Sequence, residues 1–145
     1  MIYIDTSVLG AIFFREPGAA DLVARLESQR KKKLMISAWT LTEMVSVGGI
    51  KQRTGAIDAE TRQQALANFQ RFASMHLGTV EIEPADFRTA AVLIESPGAL
   101  RAGDALHLAV ARRLGAPLAS IDRRLCAVTD ALGLARFDLM RGRRG

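Results

Sequence analysis

Short apolar runs alternate along this chain with segments in which apolar residues recur every three or four positions. The runs lie at residues 2–4, 34–36, 79–82, 118–121 and 135–137. Each run has the length of a strand, and the segments between them have the spacing of amphipathic helices. Because parallel strands need long crossover connections, strands that alternate with helices predict a parallel sheet. We therefore predict an α/β fold with a central parallel sheet of four to five strands and helices on both faces.

Capping residues indicate where some of the helices begin and end. Asp58 precedes a helical pattern, Pro84 suits a first helical turn, and Gly115 suits a helix end. No internal repeat and no linker rich in Pro, Gly or Ser divides the sequence. We expect one domain over residues 1–145, in which residues 141–145 form a flexible basic tail.

Composition excludes several classes of protein. The single cysteine, Cys126, cannot form an internal disulfide or a zinc cage. No uncharged stretch approaches the about 20 residues of a membrane-spanning helix. The sequence begins without the features of a targeting segment, so we expect a cytoplasmic protein. The net charge of +5 is compatible with a polyanionic partner but is weak evidence by itself, and genomic base composition explains the excess of Arg over Lys.

Four acidic residues stand alone within apolar sequence. They are Asp5, Glu43, Asp104 and Asp122. Asp5 and Asp122 come directly after predicted strands, at the edge of a parallel sheet where ligands bind. A lone buried carboxylate is strongly unfavourable, so such groups are paired, protonated or bound to a metal ion. The other acids, Asp86 among them, lie in mixed polar stretches or at helix starts, where a solvated or capping role suffices.

Each isolated acid also has a simpler interpretation. Asp5, Asp104 and Asp122 could each cap the helix that follows. Glu43 lies in the middle of a predicted helix and has no capping role, but it could pair with an arginine such as Arg101. These alternatives remain open for each residue taken singly.

Convergence of the four acids would require a cation. Two carboxylates about 4 Å apart repel each other by about 4 kcal/mol at an effective dielectric constant near 20. Ligation by oxygen alone favours Mg²⁺ or Mn²⁺ over zinc, and a site of this kind is typical of enzymes that act on phosphate esters.

The motifs around these acids resemble those of the PIN-domain ribonucleases. The matching motifs are Asp5-Thr6-Ser7, Glu43 in an apolar helix, Asp104-Ala105-Leu106-His107-Leu108-Ala109, and Ser120-Ile121-Asp122. Their order spans nearly the whole chain. In the size of the chain and the order of its motifs, the sequence is most similar to the VapC-type toxins of type II toxin–antitoxin pairs. This resemblance implies a PIN-like domain.

The resemblance implies that the four isolated acids are the catalytic, metal-binding set for Mg²⁺ or Mn²⁺. Ser7 would act beside them by positioning a ligand or a water molecule, and Thr6 could share that role. The family often has Thr two residues before the fourth acid, where this chain has Ser120. His107 is usual in the family, but we assign it a packing or hydrogen-bonding role rather than catalysis.

The reaction implied is endonucleolytic hydrolysis of RNA by a metal-activated water, which leaves 5′-phosphate and 3′-hydroxyl ends. The resemblance also implies a small cognate antitoxin and a toxin homodimer. By proximity to the acids, we expect contacts with RNA or antitoxin at five residues. They are Thr6, Arg101, Ser120, Arg123 and Arg124.

Two other functions compete with this one. The chain could be a catalytically silent PIN-like module that binds RNA or a partner protein. It could also be a phosphatase of the haloacid-dehalogenase type, since Asp5 follows a strand. That class normally has a second Asp at the position of Ser7.

Overall fold

A parallel sheet forms the centre of the fold. The computed structural model describes residues 1–140. In that part of the chain the strands are β1 (Ile2–Ile4), β2 (Leu34–Ser37), β3 (Gly78–Val80) and β4 (Leu118–Ala119). Their order across the sheet is β3-β2-β1-β4, and all three neighbouring pairs are parallel. The predicted fold class is confirmed.

Residues 135–137, predicted as a strand, contribute only one isolated parallel bridge beside β4. This bridge pairs Arg136 with Leu118. The backbone N–H of Phe137 donates to the carbonyl of Leu118 at 2.9 Å. Strand β4 itself ends at Ala119, earlier than predicted, because the following backbone N–H groups, of Ile121 and Asp122, donate to the side chains of Ser7 and Ser120 rather than to a neighbouring strand. The sheet therefore has four strands with a bridged outer edge.

Helices cover both faces of the sheet. Within residues 1–140 they are α1 (Thr6–Phe13), α2 (Ala19–Glu27), α3 (Ala38–Arg53), α4 (Ala59–His76), α5 (Pro84–Ile94), α6 (Ala102–Leu114) and α7 (Arg123–Ala131). The predicted helix signals at Asp58, Pro84 and Gly115 are confirmed: they are the N-cap of α4, the first residue of α5 and the C-cap of α6. The predicted basic tail, residues 141–145, lies outside the described residues.

The two core layers follow from the alternation of side chains along β1. Tyr3 packs with residues of α5, α6 and α7, such as Leu93 and Leu108. Ile2 and Ile4 pack on the opposite face with α1, α2 and α4. Tyr3 thereby carries a hydroxyl into the core from a buried strand.

One acid departs from the sequence interpretation. Asp86, expected in a solvated or capping role, caps α5 by accepting the N–H of Glu83 at 2.9 Å, but it is only 2% exposed. Its carboxylate also receives the Arg113 guanidinium, with Nε 2.9 Å from Oδ1 and Nη2 3.0 Å from Oδ2. Burial alone raises the pKa of Asp86, but the bonds from Arg113 and Glu83 outweigh it and lower the pKa overall. This ion pair joins α6 to the start of α5.

None of the helices found in residues 1–140 combines the length and the apolar character needed to cross a lipid bilayer.

Candidate functional site

The carboxyl ends of β1 and β4 open into a cleft of about 380 Å³. Its lining includes all four isolated acids, which are Asp5, Glu43, Asp104 and Asp122. Thr6, Ser7 and His107 also line it. Among the described residues, no lysine or arginine is part of the lining. The structure thus gathers the predicted acids in one place, with His107 beside Glu43 and no lysine or arginine in the described lining.

Asp5 is fixed at the bottom of the cleft by three donors. It is the N-cap of α1 and is 2% exposed. Ser7 donates its hydroxyl to Oδ1 at 2.6 Å, and Ser120 donates to Oδ2 at 2.6 Å. The N–H of Val8 also points to Oδ1, at 3.4 Å. Burial raises the pKa of Asp5, while His107 and the two serine hydroxyls oppose that rise. The capping interpretation is therefore correct for Asp5, and it coexists with a place in the cleft.

Glu43 is held by His107 and Thr6, not by an arginine. The ring Nε2 of His107 lies in hydrogen-bond contact with Glu43 Oε1, and the Thr6 hydroxyl donates to the same oxygen at 2.7 Å. Burial raises the pKa of Glu43, but these two partners outweigh it and lower the pKa overall. The proposed pairing with Arg101 is wrong, because His107 projects from the second turn of α6 directly onto α3.

The bond to Glu43 belongs to a buried chain of hydrogen bonds. His107 is 1% exposed, and its Nδ1 lies 2.7 Å from the hydroxyl of Tyr3. That hydroxyl lies 2.8 Å from Ser37 Oγ at the end of β2. Burial is the main cause of a strongly raised pKa at Tyr3, so this hydroxyl keeps its proton. The expected hydrogen-bonding role of His107 is present, and it joins β1, β2, α3 and α6 behind Glu43.

A glycine allows α6 to approach Glu43 closely. A Cβ atom at Gly103 would lie 3.0 Å from Glu43 Oε2 and 3.3 Å from Trp39 Cζ2, closer than side chains normally pack. Any larger residue at this position would have to displace the carboxylate or the indole ring.

Asp104 faces the other acids from the first turn of α6. It does not cap this helix, because α6 already begins at Ala102 with Arg101 as its N-cap. The capping interpretation is thus wrong for Asp104. Burial raises the pKa of Asp104, and the negative charges of Asp122, Asp5 and Glu43 raise it further.

Asp122, the fourth isolated acid, lies at the start of α7. It is the N-cap of that helix, and its Oδ1 accepts the N–H of Leu125 at 2.8 Å. The capping interpretation is correct here as well. The remaining carboxylate oxygen is not part of this cap, and Asp122 still lines the cleft.

The donor set fits a hard divalent cation that keeps part of its water shell. Within residues 1–140, no three acidic, histidine or cysteine side chains are grouped closely enough to enclose a metal ion by themselves. Mg²⁺ commonly takes only one or two carboxylates and retains several waters. Three observations favour such an ion: the oxygen donors, the repulsion at Asp104, and a lining that, within residues 1–140, contains no lysine or arginine.

Two features of the cleft were missed by the sequence analysis. Glu16 is a fifth lining acid, and its Oε1 lies 2.7 Å from Nζ of Lys51 on α3. Glu16 follows Arg15 in a mixed polar stretch, so no sequence signal set it apart. The contact of His107 with Glu43 was also missed. The two residues are 64 positions apart in the sequence, and no local pattern shows that α3 and α6 are in contact.

The expected basic contacts lie outside the lining. Arg101, Arg123 and Arg124 are exposed, and Arg124 donates to the carbonyl of Ala99 at 3.4 Å. Their role in binding RNA or an antitoxin stays a prediction.

Known structures share this fold over nearly the whole chain. VapC20 of Mycobacterium tuberculosis, described as a sarcin–ricin loop cleaving toxin, superposes with a TM-score of 0.69 at 18% identity, over 94% of this chain and 98% of that one. FitAcB from Neisseria gonorrhoeae gives 0.68 at 17% identity, over 97% and 99%. FitAB bound to an IR36 DNA fragment gives 0.70 at 18% identity, over 96% and 95%.

At these identities the structural likeness establishes the fold. No curated protein matches the chain in sequence. The family model for the PIN domain matches residues 2–131, which include all four isolated acids. This chain therefore belongs to the PIN domain family.

Proposed function

We propose that this protein is an endoribonuclease that depends on Mg²⁺ or Mn²⁺ and acts as the toxin of a toxin–antitoxin pair. The observation that carries the proposal is the meeting of Asp5, Glu43, Asp104 and Asp122 in one cleft with no lysine or arginine in its described lining. Such a cleft repels RNA phosphates unless a cation is present. Membership of the PIN domain family supports the same activity.

The four acids would bind the ion, and the hydroxyl groups of Ser7, Ser120 and Thr6 would orient two of these acids by hydrogen bonds. Ser7 and Ser120 orient the two oxygens of Asp5, while Thr6 and His107 orient Oε1 of Glu43. Asp104 lines the same cleft, where burial and the charges of the other three acids raise its pKa. When bound, a divalent ion supplies Lewis-acid activation of the attacking water and neutralises charge at the leaving 3′ oxygen. Products with 5′-phosphate and 3′-hydroxyl ends are expected.

The toxin role and the partners rest on resemblance to solved toxins. One neighbour is described as a toxin that cleaves the sarcin–ricin loop, and another is described as FitAB bound to DNA. We propose that this chain likewise has a small cognate antitoxin and forms a homodimer.

The test is RNA cleavage by the wild type and by Asp5→Asn, each with and without Mg²⁺. The wild type should cleave only with the metal ion and leave 5′-phosphate ends, and a correctly folded Asp5→Asn should be inactive. Full activity of that variant would reject the assignment. Absence of both cleavage and Mn²⁺ binding in the wild type would instead favour the catalytically silent module.

A further inference from the structure

The face of α3 that carries Glu43 continues along the cleft to a lysine. Glu43, Val47 and Lys51 are spaced four residues apart, so they lie on one row of the helix. Glu43 and Val47 both line the cleft. Lys51 lies about 12 Å beyond Glu43 along the helix axis. Lys51 is thus the basic residue of this row, and it follows the two residues that line the cleft.

Glu16 holds the ammonium group of Lys51 at that end. Nζ of Lys51 lies 2.7 Å from Glu16 Oε1 and 5.8 Å from the centre of the Phe14 ring. The backbone of Glu16 is itself fixed, because its N–H donates to the carbonyl of Ala11 at 2.9 Å. Glu16 belongs to the cleft lining, so the ammonium group is held beside the cleft.

This ion pair is weak enough to exchange partners. The Lys51 and Glu16 side chains are 25% and 41% exposed. Water screens a pair with this exposure, and such pairs contribute little to folding stability. A phosphate group could therefore replace the Glu16 carboxylate at Lys51 with little loss of stability.

We infer that Lys51 binds a phosphate of the RNA strand close to the one that is cut, and that Glu16 holds the lysine in place when no RNA is bound. The inference rests on the proposed function, because it concerns the substrate of the same cleft. The cleft lining is acidic, so a strand that enters it needs a cation close by for its neighbouring phosphates.

The most basic run of the described sequence is badly placed for this role. Residues 30–33 directly precede β2, so they lie at the amino-end edge of the sheet. Asp5 and Asp122 follow the carboxyl ends of β1 and β4 at the opposite edge, and the other two acids line the same cleft. Lys31 in that run is exposed and offers a matched control for the loss of one positive charge.

The test is equilibrium binding of a short fluorescein-labelled single-stranded RNA of mixed sequence, followed by fluorescence anisotropy. All proteins carry Asp5→Asn, which should prevent cleavage, and are measured at one fixed low concentration of Mg²⁺, because the acidic cleft repels RNA when no cation is present. The salt concentration is varied from about 50 to 200 mM, because each phosphate contact on single strands adds about 0.7 to the slope of log K against log salt. The added changes are Lys51→Gln, Lys51→Arg, Glu16→Gln and Lys31→Gln.

Lys51→Gln should weaken binding about tenfold at low salt and reduce the slope by about 0.7. Lys51→Arg should restore both values, since it retains the charge, and Glu16→Gln should strengthen binding without reducing the slope. If Lys51→Gln behaves like Lys31→Gln, or if Glu16→Gln weakens binding as much as Lys51→Gln, the pair only joins α3 to the loop after α1 and the inference is wrong.

The two proposals fail in different ways. Loss of the proposed function would appear as a wild type that does not cleave RNA with Mg²⁺. Loss of this inference would appear as a wild type that cleaves, together with a Lys51→Gln variant whose salt slope equals that of the Lys31→Gln control.

Discussion

The position of Glu43 depends on a buried histidine. His107 contacts Glu43 through one ring nitrogen and Tyr3 through the other, and Ser37 completes the chain of bonds. Removing the ring leaves the Tyr3 hydroxyl and the Glu43 carboxylate without this partner in a buried setting. Buried polar groups that lose a partner cost about 1–3 kcal/mol each.

We predict that His107→Ala lowers the free energy of unfolding by about 2 kcal/mol or more. Tyr3→Phe, which removes only the hydroxyl group, should lower it by about 1 kcal/mol. His76→Ala is the matched control, because His76 is the second histidine of the chain and is exposed. Urea denaturation measures all three. Equal unfolding free energies for His107→Ala and His76→Ala would show that the buried chain of bonds contributes nothing.

At the scale of elements, the Asp86–Arg113 pair joins α5 to α6. Both helices pack against the face of the sheet from which Tyr3 projects. Arg113 of α6 also donates through Nη2 to the carbonyl of Glu81 at 3.0 Å, just before α5. The pair therefore fixes α6, and with it Asp104 and His107, against the rest of the domain.

We predict that Asp86→Asn lowers the free energy of unfolding by about 2 kcal/mol at neutral pH. Asp130→Asn, which breaks the exposed pair with Arg136, should change stability little.

The stabilisation by Asp86 should depend on pH. The pKa of Asp86 is lowered in the folded protein. Its contribution to the free energy of unfolding is therefore present above the unfolded pKa of about 4 and is lost as the pH falls through the folded value. The difference between wild type and Asp86→Asn should therefore shrink below about pH 4 in denaturation experiments. A difference that stays constant down to the folded pKa would contradict this account.

The sequence predicts the elements better than it predicts their contacts. The strand at residues 2–4 and the caps at Asp58 and Gly115 depend on local patterns, and the structure has them where expected. The early end of β4 depends on the N–H of Ile121 donating to the distant Ser7 hydroxyl, which no local pattern records.

The same limit applies to the cleft. Asp5 and Asp122 were identifiable because they end strands, and Glu43 because it stands alone in an apolar helix. Glu16 and the contact between His107 and Glu43 depend on which helices meet in space. Such contacts follow from crossover geometry rather than from residue type.

For the whole molecule, the distribution of charge is the property that links fold to activity. The chain is positively charged overall, with a net charge of +5, yet acids line the cleft. Without a metal ion, the folded protein keeps Asp104 near three other carboxylates that raise its pKa. A carboxyl group whose folded pKa is raised destabilises the protein above that pKa. The metal-free protein is therefore less stable than its core alone would make it.

Thermal unfolding of the wild type and Asp104→Asn, with and without Mn²⁺, tests most directly whether the acids act together on one cation. Without the ion, Asp104→Asn should be the more stable protein by about 1 kcal/mol, because one charge is removed from the cluster. At ten times its Kd, Mn²⁺ should stabilise the wild type by about 1.4 kcal/mol and the variant much less. A metal-free variant that unfolds at a lower temperature than the wild type, together with equal Mn²⁺ shifts in both proteins, would contradict the account.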